Sequence, residues 1–203
     1  MRTSLVSQTA CVAAAAFVCF FSAPASGETW DAADRAALRR GEAVVRLVED
    51  DDGPGGRLQA AIDIAAAPSA VWPVMIDCAG APNFVPRLES CSILETGADG
   101  GYDLREHKVQ WIPLLPRLTL QFRSDYVVER EIRVHRTGGD LSRMEGVWRL
   151  EPIDGGRATR LHYDFSMATQ TPLPRFIVRG AMVRDTPGVL EAVRAEVMRR
   201  NPS

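Results

Sequence analysis

The chain has 203 residues, 46% of them hydrophobic and 25% charged, and its 24 basic and 26 acidic side chains give a formal net charge of −2. That length holds one domain with a substantial core. The near balance of charge excludes the broad basic surface that a nucleic-acid partner requires.

In chain order, residues 1–27 read as a secretory signal peptide. Arg2 is a short basic start, Cys11 to Phe21 an apolar run, and Ala23-Pro24-Ala25 a small-x-small cleavage signal. The apolar run falls short of the roughly 20 residues needed to span a bilayer. Cleavage near residues 25–27 predicts an exported, periplasmic protein and leaves 23 basic against 26 acidic residues, a net −3. Two cysteines leave with the signal. Cys78 and Cys91 remain, and in an exported protein such a pair favours a disulfide over a metal site or a nucleophile.

Asp31 to Arg40 has helical spacing and stops at Gly41, which predicts a short peripheral helix over residues 28–41. The folded domain is then 42–203. Glu42 to Val48 and Arg57 to Ile64 read as strands around an acidic turn. Its Asp50-Asp51-Asp52 run lacks the alternating ligands of a calcium loop, so a solvated turn is favoured. Pro68 opens a short helix to Ile76, and a second turn at Ala81 to Phe84 leads to a strand at Ser90 to Leu94. Alternation then predicts strands near Tyr102 to Trp111, Leu118 to Val128, Glu131 to Arg136, Leu141 to Leu150 and Ala158 to Ala168, joined by hairpin turns into an antiparallel sheet.

Pro172 to Arg200 reads as one long amphipathic helix. Phe176, Gly180, Val183, Pro187, Leu190, Val193 and Val197 recur at steps of three or four and form its predicted buried stripe. Pro187 predicts a kink, or a fresh helix capped by Asp185 or Thr186.

The order of these elements resembles the helix-grip fold of the START-like (SRPBCC) superfamily, an α+β fold also seen in Bet v 1-like proteins. The residues that carry the resemblance are Ile62-Asp63-Ile64 leading to Pro68-Ser69-Ala70-Val71-Trp72, Asp77, Asn83-Phe84-Val85-Pro86, Gly146-Val147-Trp148-Arg149-Leu150, Thr159-Arg160-Leu161-His162-Tyr163 and Pro172-Leu173-Pro174. Within the superfamily they are similar to the polyketide cyclase/dehydrase group that includes coenzyme Q-binding START-type proteins. The resemblance implies a curved antiparallel sheet of about six to eight strands wrapped around the terminal helix, with two short helices after an early strand. It also implies a cavity that holds a hydrophobic small molecule such as a lipid, a quinone or a polyketide. No cofactor is expected.

A twisted sheet curves more than one helix can follow, which leaves apolar space between them. Phe84, Trp111, Phe122, Tyr126, Trp148, Tyr163, Phe165 and Phe176 are candidate ligand contacts, with Val183 from the helix. Singly each is expected in the core. Together they exceed what a thin two-layer core requires. Ile112, Leu114 and Leu115, flanked by prolines, read equally as a cavity gate touching a membrane or as a loop folded on the core, and Pro187 would serve the same gate.

For catalysis the histidines are the first candidates. His162 is expected to face solvent, His135 lies near a turn, and weak alternation leaves the burial of His107 open. Glu106 and Lys108 form either a polar pair inside the cavity or, the favoured alternative, an exposed ion-paired face. No nucleophile, metal or phosphate-loop motif is present. A binding protein is therefore favoured over two alternatives. One is a cyclase or hydrolase drawing on Glu106, His107 and Tyr163, and the other is an interaction domain with a filled core.

Overall fold

The computed structural model describes residues 30–49, 55–110, 116–170 and 174–202. The predicted signal peptide and the segment Trp111, Ile112, Leu114 and Leu115 lie outside the described residues.

The chain forms eight strands: β1 (Val44–Val48), β2 (Gly55–Ile64), β3 (Leu88–Thr96), β4 (Tyr102–Val109), β5 (Leu118–Val127), β6 (Glu131–Gly139), β7 (Leu141–Ile153) and β8 (Ala158–Thr169). They form one antiparallel sheet in the order β1-β2-β8-β7-β6-β5-β4-β3. Two short helical elements follow β2, namely α2 (Pro68–Met75) and a 3-10 turn at Ala81–Asn83, and α3 (Arg175–Arg200) closes the chain. This is the α+β helix-grip architecture.

The core lies on the sheet's inner face. Leu58, Ala60, Ile62 and Ile64 of β2 stack beside Leu161 of β8 and Leu150 of β7, and the buried side chains of α3 close over them. The helix docks mainly on β2 and β1 and touches α2, so the strands from β8 to β4 curve away from it.

The structure corrects the predicted stripe of α3. The buried residues are Val178, Ala181, Met182, Thr186, Leu190, Val193, Glu196 and Val197, so the prediction holds from Leu190 onward and fails before it. Phe176 is 75% exposed and Val183 38% exposed. Both sets of apolar groups fit a helical period, and only the docking on β2 chooses between them. The helix runs unbroken through Pro187. Thr186 caps no new helix, because its hydroxyl donates to the Met182 carbonyl one turn back at 2.7 Å. Asp185 instead binds Arg184 and, at 3.5 Å, Arg87.

The first helix, α1 (Ala32–Arg39), starts at an Asp31 cap whose carboxylate accepts from the backbone of Ala33 and Asp34. It is less peripheral than expected. Leu38 and Trp30 pack with Val44 and Ala61 into a second small core. Ala61 alternates with Ala60 and Ile62, so this core lies on the outer face of β2.

Candidate functional site

The space left between α3 and the receding strands is a cavity of about 300 Å³. Leu118, Leu120, Phe122, Ser124 and Tyr126 of β5 form one wall, with Arg105, His107 and Val109 of β4 beside them. Ile132 and Val134 of β6, Met144 and Trp148 of β7, and Tyr163, Phe165 and Met167 of β8 continue it. Phe84 to Leu88 and the α3 residues Met182, Asp185, Thr186, Val189 and Val193 lie across from them.

Of the predicted contacts, Phe84, Phe122, Tyr126, Trp148, Tyr163 and Phe165 line this cavity, and Trp111 lies outside the described residues. Phe176 and Val183 do not line it, since both sit on the outer side of α3. Pro187 is half-buried and is also absent from the lining, which instead takes its neighbours Thr186 and Val189. Cys78 and Cys91 are joined in a disulfide with their Cα atoms 5.3 Å apart. The loop it closes contains Phe84, Val85, Pro86, Arg87 and Leu88, all of them cavity residues.

The aromatic wall is ordered by cross-strand pairing. Trp148 lies opposite Tyr163 and stacks on it with ring centres 3.8 Å apart, and Tyr163 stacks on Phe165 at 5.2 Å. Burial raises the pKa of the Tyr163 phenol well beyond its ordinary value, so it stays neutral. Trp72 of α2 meets Tyr126 edge to face at 5.9 Å.

The opposite end of the wall is polar. Asp103, Arg105, His107 and Val109 alternate along β4 and project inward, where register sets Arg105 beside Phe122 and Asp103 beside Ser124. Arg105 and Asp103 are only 7% and 5% exposed. The Arg105 guanidinium donates to Asp103 through Nε at 2.8 Å and Nη2 at 2.9 Å, and Nη2 also reaches the Ile76 carbonyl at 2.9 Å and the Tyr126 hydroxyl at 2.6 Å. Tyr126 in turn donates to Asp103 at 2.6 Å. Burial works against the arginine charge, but these bonds outweigh it and hold its pKa above the usual value. Burial, and then the bond to Asp103, push the Tyr126 phenol upward.

His107 sits edge-on to Phe122 with ring centres 4.7 Å apart, and its Nε2 is buried with no hydrogen-bond partner among the described residues. Burial, followed by the neighbouring Arg105 charge, lowers its pKa to about 4, so the ring is neutral at pH 7.

Sequence reasoning missed Asp103, Arg105 and Ser124. Glu106 and Lys108 take the outward, ion-paired arrangement that was favoured for them, and β4 presents its other parity to the cavity. Those two residues pair with each other outside at 3.8 Å, and Glu106 also takes a bond from Gln121 at 2.9 Å. His162 lies on the outer face against Glu151 at 2.7 Å, and His135, also outside, meets Glu145 at 2.7 Å. Asp77, part of the motif before Phe84, is structural as well as cavity-lining. It accepts from Gly80 and from Arg200 at the end of α3.

A curved antiparallel sheet gripping one long helix over an apolar cavity defines the START-like, helix-grip class of proteins. The profile of the family described as "Polyketide cyclase / dehydrase and lipid transport" matches residues 64–194, and the chain belongs to that family. No curated protein matches in sequence. Among solved structures, the chain is similar to the Zhui aromatase/cyclase from a Streptomyces species, with 23% identity, a TM-score of 0.64, and coverage of 72% of this chain and 95% of that one. It is similar to a START superfamily protein from Mycobacterium smegmatis, with 18% identity, a TM-score of 0.64, and coverage of 71% and 99%. A STAR-related lipid transfer protein from Xanthomonas axonopodis aligns at 16% identity, with a TM-score of 0.65 and coverage of 76% and 93%. At these identities the likeness is one of fold.

Proposed function

We propose that this protein is an exported carrier that holds one hydrophobic or amphipathic small molecule, such as a lipid or a quinone, between its sheet and α3 without transforming it. The single observation that carries this reading is the cavity of about 300 Å³, walled by stacked aromatics and aliphatic side chains where a filled core would have none. Burial of ligand hydrocarbon there supplies about 25 cal/mol per Å² of apolar area before ordering costs. Export is supported by the signal-like residues 1–27 and by a disulfide that suits an oxidising compartment. Transient membrane contact during loading is part of the same proposal.

Native mass spectrometry of the purified protein tests it. A small molecule should accompany the folded protein and be recoverable by organic extraction with its mass unchanged after reloading. A protein that takes up no apolar molecule from extracts or vesicles would end this reading.

A second reading, an enzyme of cyclase or hydrolase type, draws on His107, which lines the cavity and whose Nε2 has no hydrogen-bond partner among the described residues. Glu106 no longer serves, because it faces out. Recovery of the loaded molecule with an altered mass would favour this reading.

A further inference from the structure

The charges around the cavity are arranged in a way that bears on what its ligand can be. Arg105 and Asp103 neutralise each other at the buried end, and Tyr126 and the Ile76 carbonyl take further bonds of that pair. Asp77 and Asp185, which also line the cavity, are held by Arg200 and by Arg184 and Arg87. Among the described residues, no uncompensated positive charge waits at the buried end for an anion.

A carboxylate placed beside the Arg105–Asp103 pair would add a buried net negative charge within reach of Asp103, and desolvation would oppose it. His107 stands two residues along the same strand face, neutral, with a buried ring nitrogen that no described residue satisfies. A neutral imidazole can donate to a carbonyl or accept from a hydroxyl, and buried polar groups are normally paired.

Resting on the carrier reading above, we propose that the ligand's buried end is an uncharged hydrogen-bonding group, a hydroxyl or carbonyl received by His107, and that carboxylate-headed ligands of the same length are rejected. The ligand class is thus a long-chain or polycyclic alcohol, ketone or quinone rather than a free fatty acid.

The test titrates the purified protein with the uncharged apolar dye N-phenyl-1-naphthylamine and displaces it at pH 8 with dodecanol, dodecanoate or dodecane. Dodecanol should displace the dye about tenfold or more better than dodecanoate, and about five- to tenfold better than dodecane. In His107→Phe, dodecanol should fall to the level of dodecane while the dye still binds. Dodecanoate displacing as well as dodecanol, or His107→Phe leaving dodecanol unaffected, would overturn the proposal and leave the carrier reading standing. Failure of the dye and all three competitors to bind the wild type would overturn both. The wild-type comparison of dodecanol with dodecanoate decides the matter even if His107→Phe does not fold.

Discussion

Gly146 lies directly across the β7–β8 ladder from Phe165, and a β-carbon at Gly146 would come within 2.6 Å of the Phe165 ring. The missing side chain lets the ring settle against the sheet at the end of the Trp148–Tyr163–Phe165 stack. Gly146→Val is therefore expected to displace Phe165 toward the cavity, cost about 1–3 kcal/mol through overpacking and weaken binding of N-phenyl-1-naphthylamine. Urea unfolding and dye titration measure the two effects separately. Unchanged binding at reduced stability would show that the ring yields in another direction.

The Arg105–Asp103 pair gives a second prediction. Removing one partner strands a buried charge, so Arg105→Met should cost about 3–5 kcal/mol, and the double replacement Arg105→Met with Asp103→Leu should cost less than that single change. Both groups are almost fully buried, so solvent screening does little to reduce the effect. A double-mutant cycle by urea unfolding checks this, and simple additivity would contradict it.

The disulfide should hold the cavity's rim as well as add stability. Its 13-residue separation is short, and replacing both Cys78 and Cys91 by serine is expected to cost about 3 kcal/mol by the chain-entropy argument. Amide exchange should quicken in residues 79–90 more than in β7 and β8, because the closed loop carries Phe84 to Leu88. Uniform quickening across the sheet would assign the bond to global stability alone.

Stability should fall as pH drops from about 6.5 toward 4.5. The His107 pKa is depressed on folding from 6.5 to about 4, so the unfolded chain binds the extra proton first. The folded state is thus favoured in full above 6.5 and progressively less below it, by up to about 3 kcal/mol once the pH is below both values. Carboxylates such as Glu196, whose pKa the bonds from Arg199 and Arg200 lower to about 2, add a like-signed loss only below about 4.5. His107→Phe should flatten the slope between 6.5 and 4.5 in a pH series of urea melts. A slope that survives the replacement would point to another group.

The two faces of α3 can be told apart by substitution. Phe176→Ser and Val183→Ser should change stability by no more than about 0.5 kcal/mol, since both side chains face outward. Met182→Ala should cost about 2 kcal/mol or more, since Met182 is buried under the helix. Thermal melts of the three variants distinguish these outcomes, and a large loss from Val183→Ser would reverse the assignment of faces.

Much of this was readable from residue order. The alternation of Leu118, Leu120, Phe122 and Tyr126, and of Leu161, Tyr163, Phe165 and Met167, marked the inner faces of β5 and β8, because apolar and polar side chains separate cleanly there. The polar end of the cavity was not readable. On β4, Asp103, Arg105 and His107 alternate with Leu104, Glu106 and Lys108, and neither set is apolar enough to declare itself. The connection from β4 to β5 is also too long for a tight turn to set the register. The first half of α3 failed for a related reason, since Phe176 with Val183 and Val178 with Met182 are equally good apolar pairs at helical spacing.

By itself the sequence determined the class of fold, the antiparallel succession of strands, the terminal helix and the aromatic wall, because each follows from a local period or a turn that neighbouring residues impose. Tertiary structure alone decided which face of α3 goes inside, that Arg105 and Asp103 compensate each other out of water, and that the buried Nε2 of His107 has no hydrogen-bond partner among the described residues. Those outcomes depend on contacts between strands and helices far apart in the chain, where the geometry of pairing rather than the period of the sequence selects the side chains that meet.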